Sequence, residues 1–189
     1  MNPLRTLAVI LFAVAVASCG KQTEIQSDFD HSADFASYKT FGYAAPLGTE
    51  VDGYSDEITQ SFKAATRREL EARGYRFVDA DPDLLVNFGA LLEKKGQSPA
   101  AADTHHVAYY GYRRAAVYKA WPSYMYERNG EKYTQGTLNV DLVDAKRKQL
   151  VWEGVAIGRV KDESLSNPGP GIDKVVREIF AKYTYRASG

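Results

Sequence analysis

The residues of this 189-residue chain that could do chemistry are few: three histidines, one cysteine and a scatter of aspartates. His105 and His106 stand side by side, two residues after Asp103. Adjacent side chains on a strand point to opposite faces, which suits shared metal coordination poorly. No second Cys or His pair at zinc-type spacing supports them, and His31 could join only through the fold. A solvated loop explains the pair better. Asp79, Asp81 and Asp83 match the opening of a calcium loop, but glycine and glutamate are then needed at the sixth and twelfth positions. Leu84 and Ala90 stand there, and Asp-Pro-Asp is sound turn chemistry. Asp141 and Asp144 could be paired carboxylates, yet three residues along a strand is the wrong spacing for one face. Solvent-facing charge is expected for both. There is no Gly-X-Ser-X-Gly elbow and no phosphate-cradling loop. A Ser-His-Asp set assembled by folding would have to draw on one of the three histidines. The expectation is a protein without catalytic residues, metal or cofactor.

One segment has the composition of a binding surface. Tyr109, Tyr110, Tyr112, Arg113, Arg114, Tyr118 and Trp121 fall within thirteen residues. Tyr, Trp and Arg are the types enriched at binding hot spots, and arginine stacks on aromatic faces. The segment could grip a protein partner, a glycan strand or lipid headgroups. Equally, its tyrosines could pack over a sheet and fill its second face.

Cys19 follows an apolar run, Leu7 to Ala17, with Arg5 as a positive flank. At about eleven residues the run has the length of a signal-peptide core and is too short to span a bilayer, which takes about 20 residues. Val16-Ala17-Ser18-Cys19 resembles the lipobox of bacterial lipoproteins. That resemblance implies cleavage before Cys19 and lipid on its sulfur. An ordinary secretory signal and a buried apolar helix are the plainer alternatives. Gly20 stands where aspartate often marks inner-membrane retention, so the resemblance points to the outer membrane, facing the periplasm. One acyl chain anchors only marginally; a lipoprotein cysteine carries two or three. Acylation would also remove the odd thiol, leaving the mature domain to fold by its core alone.

Forty-four per cent of the residues are hydrophobic and 25% charged, with a formal net charge of zero. That is a globular composition with no electrostatic invitation to nucleic acid. The expected organisation is a signal peptide over 1–18, a lipidated cysteine and short tether over 19–24, and one domain over 25–185. A Tyr-rich irregular segment lies within that domain at about 97–126.

The elements that must position any site follow from pattern. A strand opens the domain after Glu24, and a second runs around Thr40 to Tyr43. Ser55 reads as a helix N-cap with Asp56 and Glu57 in the first turn, and Ile58, Phe62 and Ala65 continue at helical spacing. Gly74 should close that helix. "YRFV" and "LLVNFGALL" read as strands. Asn129-Gly130 is a strong hairpin signal. "TLNVDLVD" alternates as a half-buried strand, "DAKRKQ" turns, and "LVWEGVAIG" returns, with Gly154 marking a bulge or a close backbone approach. Ile172, Val175, Val176, Ile179, Phe180 and Tyr183 form the apolar stripe of a last helix. The predicted fold is α+β, two amphipathic helices on one face of a mainly antiparallel sheet whose strands are mostly joined as hairpins.

Taken together, "FASYKTFGYA", "ELEARGYRFVDADPDLLVNF", "GTLNVDLVDAKRKQLVWEG" and the helix ending "IFAKY" resemble the bacterial lipoproteins of domain-of-unknown-function family 4136, from about Ile25 to Tyr183. The resemblance implies a lipid-anchored α+β envelope domain and supplies no catalytic residues. The expected function is a non-catalytic binding or envelope-assembly module, held to the membrane through Cys19. Its partner would be an envelope protein or a glycan. The alternative is a carrier of a small lipid, glycan or hydrophobic ligand, which requires a cavity between helices and sheet. A hydrolase is a third reading.

Overall fold

The computed structural model describes residues 23–95 and 133–188. Six strands form one mixed sheet in the order β1-β6-β5-β4-β2-β3. They are β1 (Glu24–Phe29), β2 (Thr40–Tyr43), β3 (Arg76–Phe77), β4 (Leu84–Lys95), β5 (Tyr133–Asp144) and β6 (Gln149–Val160). The helices are α1 (Gly48–Val51), α2 (Asp56–Glu71), α3 (Asp162–Ser166) and α4 (Pro168–Phe180). The β1–β6, β6–β5 and β5–β4 pairings are antiparallel, so the fold is α+β with a mainly antiparallel sheet.

Two strand pairings depart from the hairpin expectation. β1 and β2, consecutive in the chain, do not pair with each other; β1 joins β6 at one edge. β2 runs parallel to both β3 and β4 and lies between them. Parallel neighbours need a crossover, and α1 with α2 supplies it. Asp83 fixes the start of β4: its carboxylate accepts from the Lys39 and Thr40 backbone N–H groups at 2.9 and 3.0 Å and from the Thr40 hydroxyl. Burial works against the charged form of Asp83, but these hydrogen bonds and the charge of Lys146 hold its carboxyl below the usual range.

Ser55 caps α2 through its side chain, which accepts from the Ile58 N–H. Gly74 ends the turn that follows with a φ of 89°, a conformation that glycine adopts without steric cost. The Gly74 N–H donates to Glu71 C=O and the Tyr75 N–H to Leu70 C=O, the paired bonds of a Schellman stop. Tyr75 and Leu70 are both buried beneath it.

α2 and α4 lie on one face of the sheet and run in the same direction. Arg68 of α2 pairs with Asp173 of α4, and further along Arg73 donates to the Phe180 carbonyl at 2.7 Å. That bond satisfies one of the orphan carbonyls at the end of α4. Beneath the helices Phe62 packs on Phe88 and Phe180 on Trp152, with ring centroids 5.2 and 5.6 Å apart. Tyr75 and Tyr183 share a hydrogen bond of 2.8 Å between their hydroxyls, and burial pushes both phenols above their ordinary pKa.

Gly154 marks a close approach rather than a bulge. A Cβ there would overlap the side chains of Ile179 and Trp152. The irregularity in the β5–β6 ladder falls instead between Leu142 and Val143. No helix of the described residues is long and apolar enough to cross a membrane.

Candidate functional site

The helix-facing side of the sheet loses volume along its length. One cross-strand row holds Val86, Leu142 and Trp152, and the next Phe88, Val140 and Gly154. Val86, Leu142, Trp152, Phe88 and Val140 fill the space beneath Phe62 of α2 and Phe180 of α4, and Trp152 with Ile179 occupies the space beside Gly154. Beyond them come Ala90, Leu138 and Ala156 in one row, then Leu92, Gly136 and Gly158 in another. Four of these six positions carry a methyl group or no side chain. The helices do not sink to compensate, because the Arg73–Phe180 bond and the aromatic layer fix their other ends. A cavity results.

It measures about 230 Å³. Ile58 and Phe62 of α2 and Ile172 and Val175 of α4 form its roof, and Leu165 of α3 stands at its side. Leu92 and Leu165, 44% and 45% exposed, are apolar residues at its lip. Thr23, the residue before β1, lines it as well and sits over Gly158, where a Cβ would lie 3.2 Å from its hydroxyl. Most of the site offers apolar contact; specific polar recognition would rest on Thr23, Tyr54, Thr137, Ser164 and Arg159, which also line it. Its size suits one narrow hydrophobic group, since an apolar cavity of about 150 Å³ already takes a benzene ring.

A second hollow, about 520 Å³, lies between α2 and the β2–β3 edge. Its cations are already engaged. Arg67 stacks over Phe77 and pairs with Glu71, and Lys63 stands over Tyr43 and near Glu50. The apolar cavity is the better candidate.

The family's sequence profile, described as a domain of unknown function (DUF4136), matches residues 25–184. The chain belongs to this family. Among solved structures, the DUF4136 chain is similar to a PDZ domain protein from Parabacteroides distasonis, with 16% identity and a TM-score of 0.55. That match covers 89% of this chain and 37% of the other, so the chain spans little more than a third of that protein. The likeness is one of fold. A PelC dodecamer from Paraburkholderia phytofirmans matches at 11% identity and a TM-score of 0.44, over 89% of this chain and 100% of that one. The curated proteins include no match to this sequence.

The DUF4136 domain places the sequence-derived candidates unevenly. Cys19, His105 and His106, Asp103, the Asn129-Gly130 turn and the run from Tyr109 through Tyr110, Tyr112, Arg113, Arg114 and Tyr118 to Trp121 lie outside the described residues. His31 packs its ring against Phe29, with centroids 4.3 Å apart. Among the described residues, no group of three or more His, Cys, Asp or Glu could hold a metal ion.

The expectation of solvent-facing charge at Asp141 and Asp144 is corrected: each is only 6% exposed. Asp144 closes the β5–β6 turn, accepting from the Lys146 and Arg147 N–H groups at 2.9 and 2.7 Å and from the Tyr38 hydroxyl. Burial, reinforced by that carboxylate, pushes the Tyr38 phenol above its ordinary pKa. Asp141 stands across the ladder from Glu153, also buried, and accepts from Asn139 at 3.1 Å. The carboxylate neighbour of Asp141 is therefore Glu153 and not Asp144, a consequence of antiparallel register that spacing along one strand does not reveal.

The cavity residues were missed for a similar reason. Ala90, Gly136, Ala156 and Gly158 are unremarkable singly. The available signal was their repeated occurrence at alternate positions, on the side of the strands that also carries Phe88, Val140 and Trp152.

Proposed function

We propose that this protein is a non-catalytic, lipid-anchored component of the bacterial cell envelope that binds a hydrophobic ligand in the cavity between α2, α4 and the sheet. The cavity is the observation that carries the reading. It is apolar, open at a leucine lip, and shaped by small residues concentrated on one side of three neighbouring strands. The signal-like N-terminus and the lipobox at Cys19 support an anchor in the outer membrane, facing the periplasm. The aromatic-basic run from Tyr109 to Trp121 is the segment we assign to a protein or glycan partner.

The test uses the secreted Cys19→Ser form, which lacks the lipidation site. Native mass spectrometry on gently purified protein should show a bound apolar mass, or stoichiometric uptake of a dansyl-labelled undecanoic acid after the protein is stripped. A stripped, folded protein that takes up none of the probe at micromolar concentration would overturn the assignment.

A further inference from the structure

We propose that the occupant of the cavity is an acyl chain of the lipid on the protein's own Cys19. The inference rests on the cavity and anchor just proposed, and it names their ligand.

Chain length is the first argument. Thr23 lines the cavity and stands four residues after Cys19. Four residues reach at most about 14 Å, so the lipidated sulfur cannot stray far from the mouth. A short flexible tether holds its cargo at an effective concentration in the millimolar range. A free periplasmic lipid would have to bind far more tightly to compete.

Chemistry and size agree. The floor, Ala90, Leu138, Ala156 and Gly158, presents hydrocarbon and bare backbone, and Arg159 is a charged residue of the lining. At about 230 Å³, and scaling from the cavity of about 150 Å³ that takes the six carbons of benzene, it accommodates roughly nine carbons of a single chain. The exposed leucines Leu92 and Leu165 then cover the carbons nearest the glycerol end. Sequestering one chain has a consequence for the anchor. Stable membrane attachment takes two hydrophobic signals, whereas one chain binds reversibly. A lipoprotein with one chain withdrawn would hold the bilayer less firmly and expose less hydrocarbon when off it.

The experiment uses the full lipidated chain in living cells, with a benzoylphenylalanine photo-crosslinker at Ile172 in the roof or, separately, at the exposed Leu165. After irradiation and digestion, the expected product joins the peptide carrying the crosslinker to the N-terminal Cys19 lipopeptide through its acyl chain. An adduct with free phospholipid instead would overturn the proposal, making the membrane the source of the ligand. No adduct at either position, while the Cys19→Ser form takes up the dansyl-labelled fatty acid, would also overturn it and leave the cavity's binding role intact. Absence of both the adduct and probe uptake would sink the cavity reading with it.

Discussion

Single side chains decide two properties of this domain. Asp83 ties the Lys39–Thr40 corner to the start of β4, and its hydrogen bonds favour the ionised form. A carboxylate whose pKa is lower folded than unfolded contributes stability that is complete above the unfolded value. That contribution disappears as the pH falls from the ordinary value of 3.8 down through the lowered folded one. Asp83→Asn should therefore cost roughly 1–3 kcal/mol near neutrality and flatten the acid limb of the stability profile. Urea unfolding from pH 3 to 7 reads both effects. Gly154 is the second case. Its Cβ would occupy space already taken by Ile179 and Trp152, so Gly154→Ala should cost about 1–3 kcal/mol through overpacking. The urea midpoint should fall at unchanged slope.

At the scale of elements, local signals located α2 and α4 and missed the short helices α1 and α3. The Ser55 cap and the apolar stripe from Ile172 to Phe180 were legible because each uses only neighbours in sequence, although α4 ends at Phe180 and Tyr183, expected on the stripe, lies beyond it. Gly74 was legible for the same reason. Gly74→Ala places a Cβ in the left-handed region and should lower stability by about 1–2 kcal/mol, seen as a drop in Tm with the α-helical circular dichroism unchanged below the transition. Sheet order was not legible. Nothing in "TFGY" distinguishes a parallel strand between β3 and β4 from a hairpin partner of β1. That choice is made by the α1–α2 crossover and by Asp83, forty-three residues from Thr40. The buried neighbours Asp141 and Glu153 were hidden likewise, because their meeting depends on the β5–β6 register. The alternation of Leu138, Val140 and Leu142 showed one buried face, while the burial of Gln135, Asp141 and Glu153 shows that their opposite side is not a solvent face.

At the scale of the whole molecule, the cavity sets packing against function. Large residues under one half of α2 and α4, with Arg73 bridging the helix ends, hold the roof up. Small residues under the other half leave the space unfilled. Unfilled apolar volume is a loss of dispersion contacts, so a domain shaped only for stability would gain from filling it. Ala156→Leu should do so, since Ala156 lies on the floor below Ile172 and Val175. The variant should be as stable as wild type or gain about 0.5–2 kcal/mol, the range of cavity-filling changes. In the Cys19→Ser background it should nevertheless lose at least tenfold in affinity for the dansyl-labelled fatty acid. The opposite signs matter. A substitution that weakened binding by damaging the fold would lower both quantities, whereas a plug in a binding cavity lowers one and spares or raises the other. Parallel denaturation and fluorescence titrations separate the two, and a stabilised variant with undiminished probe binding would place the ligand elsewhere on the domain.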